Sequence, residues 1–269
     1  MSTSYEIGTE WKFFNYRLDL DFTYYRTNTK NSLLKMPSSA GALYKFYYVN
    51  AGNIQNEGVE LTLGVTPVMN KDFRWKSIFN FSTNRNKIIS LHKELKSFAY
   101  GDEGMSMMYM MRIVEGGSLG DIYGNKFKRD NEGNIIYQRN ERTGEATDMP
   151  SYSTGNNDKI GNANPKALLG WSNTFTYKGF TLYFLVDCRF GGDIISITQA
   201  ELDQKGVSKT SGDDRARGFV DLEGHRIKDV EGFYSIVGGR NGVTENYLYD
   251  ATNIRLRELS LGYDFPKKW

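Results

Sequence analysis

The run Tyr5-Glu-Ile-Gly-Thr-Glu-Trp-Lys-Phe13 alternates with period two, setting Tyr5, Ile7, Thr9, Trp11 and Phe13 against Glu6, Gly8, Glu10 and Lys12. Successive side chains of a strand point to opposite faces, so one face of this segment is apolar and the other wet. After a break at Asn15 the pattern resumes, with Leu18, Leu20, Phe22 and Tyr24 against Arg17, Asp19, Asp21 and Thr23. A soluble sandwich and a membrane barrel both meet this description.

Working outward, the alternation predicts strands over 5–13, 16–30, 45–67, 166–177, 180–190 and 247–265, with a further one starting at Phe73. The third has a firm part in which Val59, Leu61, Leu63 and Val65 oppose Glu60, Thr62, Gly64 and Thr66. Gly52 and Gly58 mark an irregularity within it. In the fourth, Phe73, Trp75, Ser77, Phe79 and Phe81 oppose Arg74, Lys76, Ile78, Asn80 and Ser82. Lys178-Gly179 reads as a two-residue hairpin turn. Short connections (14–15, 69–72, 178–179) alternate strictly with long ones (31–44, 91–164, 191–246). Loops beyond about 15 residues are uncommon in compact domains. An outer-membrane barrel has this asymmetry built in, with short turns on one side and long loops on the other.

Aromatic residues gather at the short turns: Phe13, Phe14 and Tyr16, then Phe73 and Trp75, then Tyr177 and Phe180, then Tyr263 and Phe265. They would form one girdle at a membrane–water interface. Aromatic packing at the closed end of a sandwich gives the same list.

Composition narrows the classes. Of 269 residues 39% are hydrophobic and the mean hydropathy is −0.55. No segment approaches the roughly 20 apolar residues of a membrane-spanning helix, which leaves a barrel open. A net charge of +2 is too balanced to suggest nucleic acid as a partner. The single cysteine, Cys188, excludes an internal disulfide framework and reads as a small buried apolar group. Met1 leads directly into a strand without a signal-like segment, so an exported protein would carry its leader upstream of this chain.

Catalytic chemistry finds no support. Gly116-Gly-Ser-Leu-Gly120 matches a nucleophile elbow in letters, but the following Asp121-Ile-Tyr-Gly124-Asn125 breaks a helix. Neither His92 nor His225 is placed to serve Ser118. Asp130-Asn-Glu-Gly-Asn134 starts like a calcium loop without completing the twelve-residue spacing, and reads as a turn. Two distant histidines and one cysteine make no zinc set. No catalytic residue, cofactor or metal site is expected. The functional candidates are the polar rows: Glu6, Glu10, Lys12, Arg17, Asp19, Asp21, Glu60, Arg74, Lys76, Asp187, Arg189 and Glu258, which a barrel would turn toward its lumen. Tyr100, Tyr109, Tyr123, Tyr152 and Tyr234 in the long loops suit polar ligands such as glycans, and equally suit ordinary exposed loops.

Several motifs resemble one family. Asn50-Ala-Gly-Asn-Ile-Gln-Asn-Glu-Gly-Val-Glu-Leu61 is similar to a signature of SusC/RagA-type TonB-dependent receptors. So are Gly120-Asp-Ile-Tyr-Gly124, Ile160-Gly-Asn-Ala-Asn-Pro165, Tyr177-Lys-Gly-Phe-Thr-Leu182, and the closing run from Arg255-Leu-Arg257 to Leu259-Ser-Leu-Gly-Tyr-Asp-Phe-Pro266. The hairpin over 5–34 resembles late barrel hairpins of the same receptors. The resemblance implies an all-β, antiparallel transmembrane barrel fragment: seven of about twenty-two strands of a plugged barrel, with the plug, TonB box and last strands outside residues 1–269. It further implies import of oligosaccharides or peptides across the bacterial outer membrane. The partners implied are outer-membrane lipid, a SusD-like surface lipoprotein and the TonB complex acting through the plug. The rival classes are a secreted β-sandwich carbohydrate-binding module, with aromatics as sugar platforms, and an outer-membrane barrel enzyme.

Overall fold

The computed structural model describes residues 1–38, 41–44, 46–92, 96–100 and 109–265. Its frame is one antiparallel sheet in which every strand pairs with its neighbours in sequence. The strands are β1 (Ser2–Phe13), β2 (Leu18–Pro37), β3 (Phe46–Met69), β4 (Phe73–Ser90), β5 (Ala167–Tyr177), β6 (Phe180–Phe190) and β7 (Asn253–Tyr263). β1 and β7 are the two edges of the sheet.

The register carries the alternation of the sequence across the whole sheet. Trp11 stands opposite Leu20, Leu20 opposite Leu63, Leu63 opposite Phe79, Phe79 opposite Trp171 and Trp171 opposite Val186. Directly opposed residues share a face, so these form one apolar row. A one-residue slip anywhere would turn a strand inside out, which is why the pattern fixes the register so firmly. The apolar rows are open to the surroundings: Ile7 is 74% and Leu261 73% exposed. Among the described residues no second sheet faces them, so a sandwich lacks its other half.

Asn173 and Ser77 interrupt the apolar rows, and each accepts a hydrogen bond from an indole. Trp75 Nε1 donates to Asn173 Oδ1 at 2.9 Å, and Trp171 Nε1 donates to Ser77 Oγ at 2.9 Å. The indoles stack on Phe175 and Phe79, with ring centroids 5.6 and 5.5 Å apart, and so lie over the polar groups they bond. Cys188 is buried in the same face and free.

The short turns lie at one end. Lys178 (φ 44°) and Gly179 (φ 89°) form the expected two-residue turn, whose two positive φ values match the twist of the flanking strands. Phe14, Asn15 and Tyr16 all adopt φ between 53° and 62°, and the Arg17 amide closes that turn on the Phe13 carbonyl at 3.1 Å.

At the other end the structure departs from the sequence expectation in three places. The loop expected over 31–44 is mostly strand, because β2 and β3 stay paired up to Pro37 and Phe46; Ser39 and Ala40 lie outside the described residues. Strand seven starts at Asn253, since residues 244–247 coil into a 3-10 turn; Pro266, its expected end, is also outside the described residues. The two long loops fold together instead of remaining irregular. They contain α1 (Ile197–Gln204), α2 (Lys209–Arg217), α3 (Val230–Val237) and short strand pairs, around a core of Phe127, Ile135, Ala200, Val220, Ile227, Phe233, Tyr234, Val237, Val243 and Tyr247. A second cluster (Ala51, Ile88, Leu91, Phe98, Ile113) roots the loops on the upper part of β3 and β4.

Candidate functional site

The polar face is built by the same register. One row runs Lys12, Asp19, Gly64, Ile78, Ser172, Leu185 and Glu258. The next row toward the loops runs Glu10, Asp21, Thr62, Asn80, Gly170, Asp187 and Arg255; the one beyond holds Thr23, Glu60, Ser82, Leu168 and Arg189. Glu6 stands opposite Tyr25 one row higher, while Lys76 and Arg74 lie nearer the short turns, opposite Thr174 and Thr176. Eleven of the twelve candidates therefore share one face. Arg17 is the exception and a correction: it sits in the first turn, not on a strand. Its guanidinium donates to the Thr66 carbonyl from Nε (3.1 Å) and to the Pro67 carbonyl from Nη2 (2.5 Å), tying the first turn to β3.

Charges on this face are partly paired. Lys12 Nζ lies 2.6 Å from Glu10 Oε1, and Arg189 Nη2 donates to the Ala163 carbonyl at 2.6 Å. Asp187 Oδ2 accepts from Arg255 Nη2 at 2.7 Å and from Arg257 Nη1 at 3.1 Å. Neither arginine was among the candidates. Arg257 is the extra residue of a bulge in β7, between the pairs Leu185–Glu258 and Val186–Leu256, so simple alternation hides its reach to Asp187.

Small residues let aromatic and amide groups lie close to this face. Gly58 stands opposite Tyr25 and Asn84, and Tyr25 Oη donates to Asn84 Oδ1 at 3.2 Å. A methyl on Gly58 would meet Tyr25 Oη at 2.6 Å and collide with the Thr83 carbonyl oxygen. The Asn-Glu-Gly-Val-Glu segment thus has a packing reason for its glycine.

The helical loop assembly is held by caps and a buried polar network. Ser196, Ser208 and Asp229 accept from the amides of Gln199, Ser211 and Gly232 and so start the three helices. Asp203 accepts from Gln199 Nε2 at 2.9 Å and from Ser208 Oγ; Asp214 accepts from Tyr234 Oη at 2.5 Å and from Arg217. Burial, then the neighbouring Asp214, pushes the Tyr234 phenol up; burial and Asp203 do the same for Tyr247. Both phenols stay neutral, and Tyr234 donates to Asp214. Tyr234 and Tyr123 are accordingly buried, which corrects the reading of them as exposed ligand contacts, whereas Tyr109 is exposed; the Tyr100 side chain lies outside what the structure describes. Replacing Asp214 by Ala leaves the buried Tyr234 hydroxyl without its acceptor, at a cost of about 1–3 kcal/mol. Faster proteolysis within residues 197–237, with the wall intact, is the expected readout.

The elbow-like Ser118 lies in a glycine-rich bend followed by a strand, residues 121–124, with its Oγ donating to Asn86 Oδ1 at 3.3 Å. Asp130 accepts amides of Glu132 and Asn134, both at 2.9 Å, in a turn closed by the Arg129–Ile135 bridge. Those backbone bonds hold its carboxyl below the usual range.

Residues 1–103 match the family described as TonB dependent receptor-like, beta-barrel. Across the whole chain, TonB-dependent receptor P3 of Formosa agariphila is 25% identical, and TonB-dependent receptor SusC of Bacteroides thetaiotaomicron is 19% identical. The chain spans 27% and 26% of those two proteins. Structures of the RagAB peptide importer in closed-closed and open-open states superpose with a TM-score of 0.69 at 19% identity, over 98% of this chain and 29% and 28% of theirs. The fold is that of a TonB-dependent receptor β-barrel wall. By sequence and fold the chain is similar to the β-barrel portion of SusC/RagA-type TonB-dependent receptors.

Proposed function

We propose that this chain forms part of the wall of an outer-membrane importer that takes up oligosaccharides or peptides. The observation that carries the reading is the two-faced sheet. Its apolar rows span residues 5–13 in β1, 169–177 in β5 and the length of β6, the nine to eleven residues that a barrel strand needs to cross the hydrocarbon layer. Level with Tyr5, at the upper limit of these rows, the same face turns polar at Arg26, Glu57 and Arg85, as expected where a wall leaves the lipid.

On this reading the apolar rows contact outer-membrane lipid. Glu6, Glu10, Lys12, Asp19, Asp21, Glu60, Arg74, Lys76, Asp187, Arg189 and Glu258 line a wet lumen. The folded loop assembly stands outside the cell, where a SusD-like lipoprotein would cover it, and the TonB complex would act through a plug. Peptide import by RagAB supports the peptide class.

The chain by itself exposes two sheet edges and the apolar rows, so residues 1–269 expressed without detergent should aggregate. A monodisperse, water-soluble monomer overturns the membrane reading. In the parent bacterium, deleting the complete receptor should abolish growth on its oligosaccharide or peptide source, and antibody against the loop assembly should label intact cells.

A further inference from the structure

β4 is longer than the strand beside it. β5 pairs with β4 only as far as the Leu168–Ser82 pair, and at Ile88 the edge is taken up again by Gly116 and Gly117, with bonds of 2.8 Å each way. Between these points lie residues 83–87, about 16 Å of strand. Ile88 directs both its backbone groups away from β3, to Gly116 and Gly117. By the alternation of a strand, Asn84 and Asn86 do the same. Among the described residues the amide and carbonyl of both make no hydrogen bond on that side. Lys166, which the register would set opposite Asn84, gives its amide to the Phe190 carbonyl at 2.8 Å instead, so β5 does not extend the ladder.

This gap is a slot flanked by space on both sides. On the apolar-row side lies a cavity of about 740 Å³ whose lining includes Glu57, Arg85, Lys87, Lys166, Asp193 and Asp250. On the polar side lies one of about 170 Å³ with Tyr25, Glu60 and Asn164. Arg85, Lys87 and Lys166 have no carboxylate within 4 Å among the described residues.

We propose that the β4 edge at Asn84 and Asn86 is a docking site for a short extended peptide, which adds a strand within the wall and bonds both residues through their backbones. Three features favour a peptide over a saccharide. The free groups follow the spacing of a β-ladder; an inserted strand sends alternate side chains to opposite faces, where the two cavities stand; and the larger cavity offers both signs of charge to a chain with charged side chains or termini. The source of the peptide, imported cargo, rests on the importer reading above. The pairing itself does not.

The test compares Asn84→Pro with Asn84→Ala in the complete receptor in detergent. Proline removes an amide that β3 does not use, while alanine keeps it. The probe is a fluorescein-labelled tryptic digest of casein, read by anisotropy. N84P should bind at least tenfold more weakly than N84A; equal affinities, or no binding by the wild type, overturn the proposal. Should N84P fail to fold, hydrogen exchange on the wild type decides: the Asn84 and Asn86 amides should slow at least tenfold with the digest, and unchanged exchange overturns the slot. Outer-membrane fractionation is scored separately. A receptor absent from that fraction defeats the importer reading while the binding assay still judges the slot.

Discussion

Replacing Gly58 by alanine in the complete receptor is expected to remove most of the folded barrel from the membrane. The added methyl would collide with the Thr83 carbonyl oxygen and press on the Tyr25 ring. A tyrosine can swing away, but the carbonyl belongs to the β3–β4 ladder, and moving it breaks pairing on both sides of Gly58. Overpacking alone costs about 1–3 kcal/mol, and backbone displacement raises that. Loss of the heat-modifiable band on gels, or a melting temperature at least 10 °C lower, is the expected result. Gly170 sits on the same face, and a methyl there meets nothing closer than 3.9 Å, so Gly170→Ala should fold like the wild type. The double variant Gly58→Ala with Tyr25→Ala should remain defective, because the carbonyl contact persists. Rescue by Tyr25→Ala would locate the problem in the ring and refute the argument.

The second large effect separates the faces. Leu63 lies mid-row among Leu20, Phe79 and Trp171; its sequence neighbour Thr62 stands between Asp21 and Asn80. Leu63→Arg should destabilise the barrel by about 2–4 kcal/mol, the cost of a cation near the bilayer midplane on a lipid-facing site. Thr62→Arg, on the wet face, should cost far less. Urea titration of the refolded complete receptor in lipid vesicles measures both. Equal costs would mean that the apolar rows do not face lipid.

Both experiments rest on what the wall shows most plainly, its alternation. Once Tyr5, Ile7, Trp11 and Phe13 are read against Glu6, Glu10 and Lys12, the faces of β1 are assigned, and each later strand repeats the logic. The tight turn at Lys178-Gly179 was legible for a local reason, since few residue pairs accept two positive φ values in succession. Arg17 was misplaced because alternation carries no information about where a strand begins. Arg257 was overlooked because a bulge shifts the period by one residue. The helices in residues 191–252 were missed although Ser196, Ser208 and Asp229 mark their starts; α2 is short and nearly all polar, and the eight residues of α1 offer only Ile197, Ala200 and Leu202 as apolar positions, too little to announce a stripe.

The sequence by itself determined where the strands lie, apart from their ends, which residues share a face, and the family likeness, because a period of two and short turns are local properties that tertiary contacts only reinforce. What only the tertiary structure decided was the loop assembly with its buried Asp214–Tyr234 bond, the Asp187–Arg255–Arg257 cluster and the open edge at Asn84 and Asn86. Each depends on segments 20 to 119 residues apart meeting in space, or failing to meet. A missing strand partner leaves no mark in the residues of β4; it exists only because β5 stops short of β4's upper end.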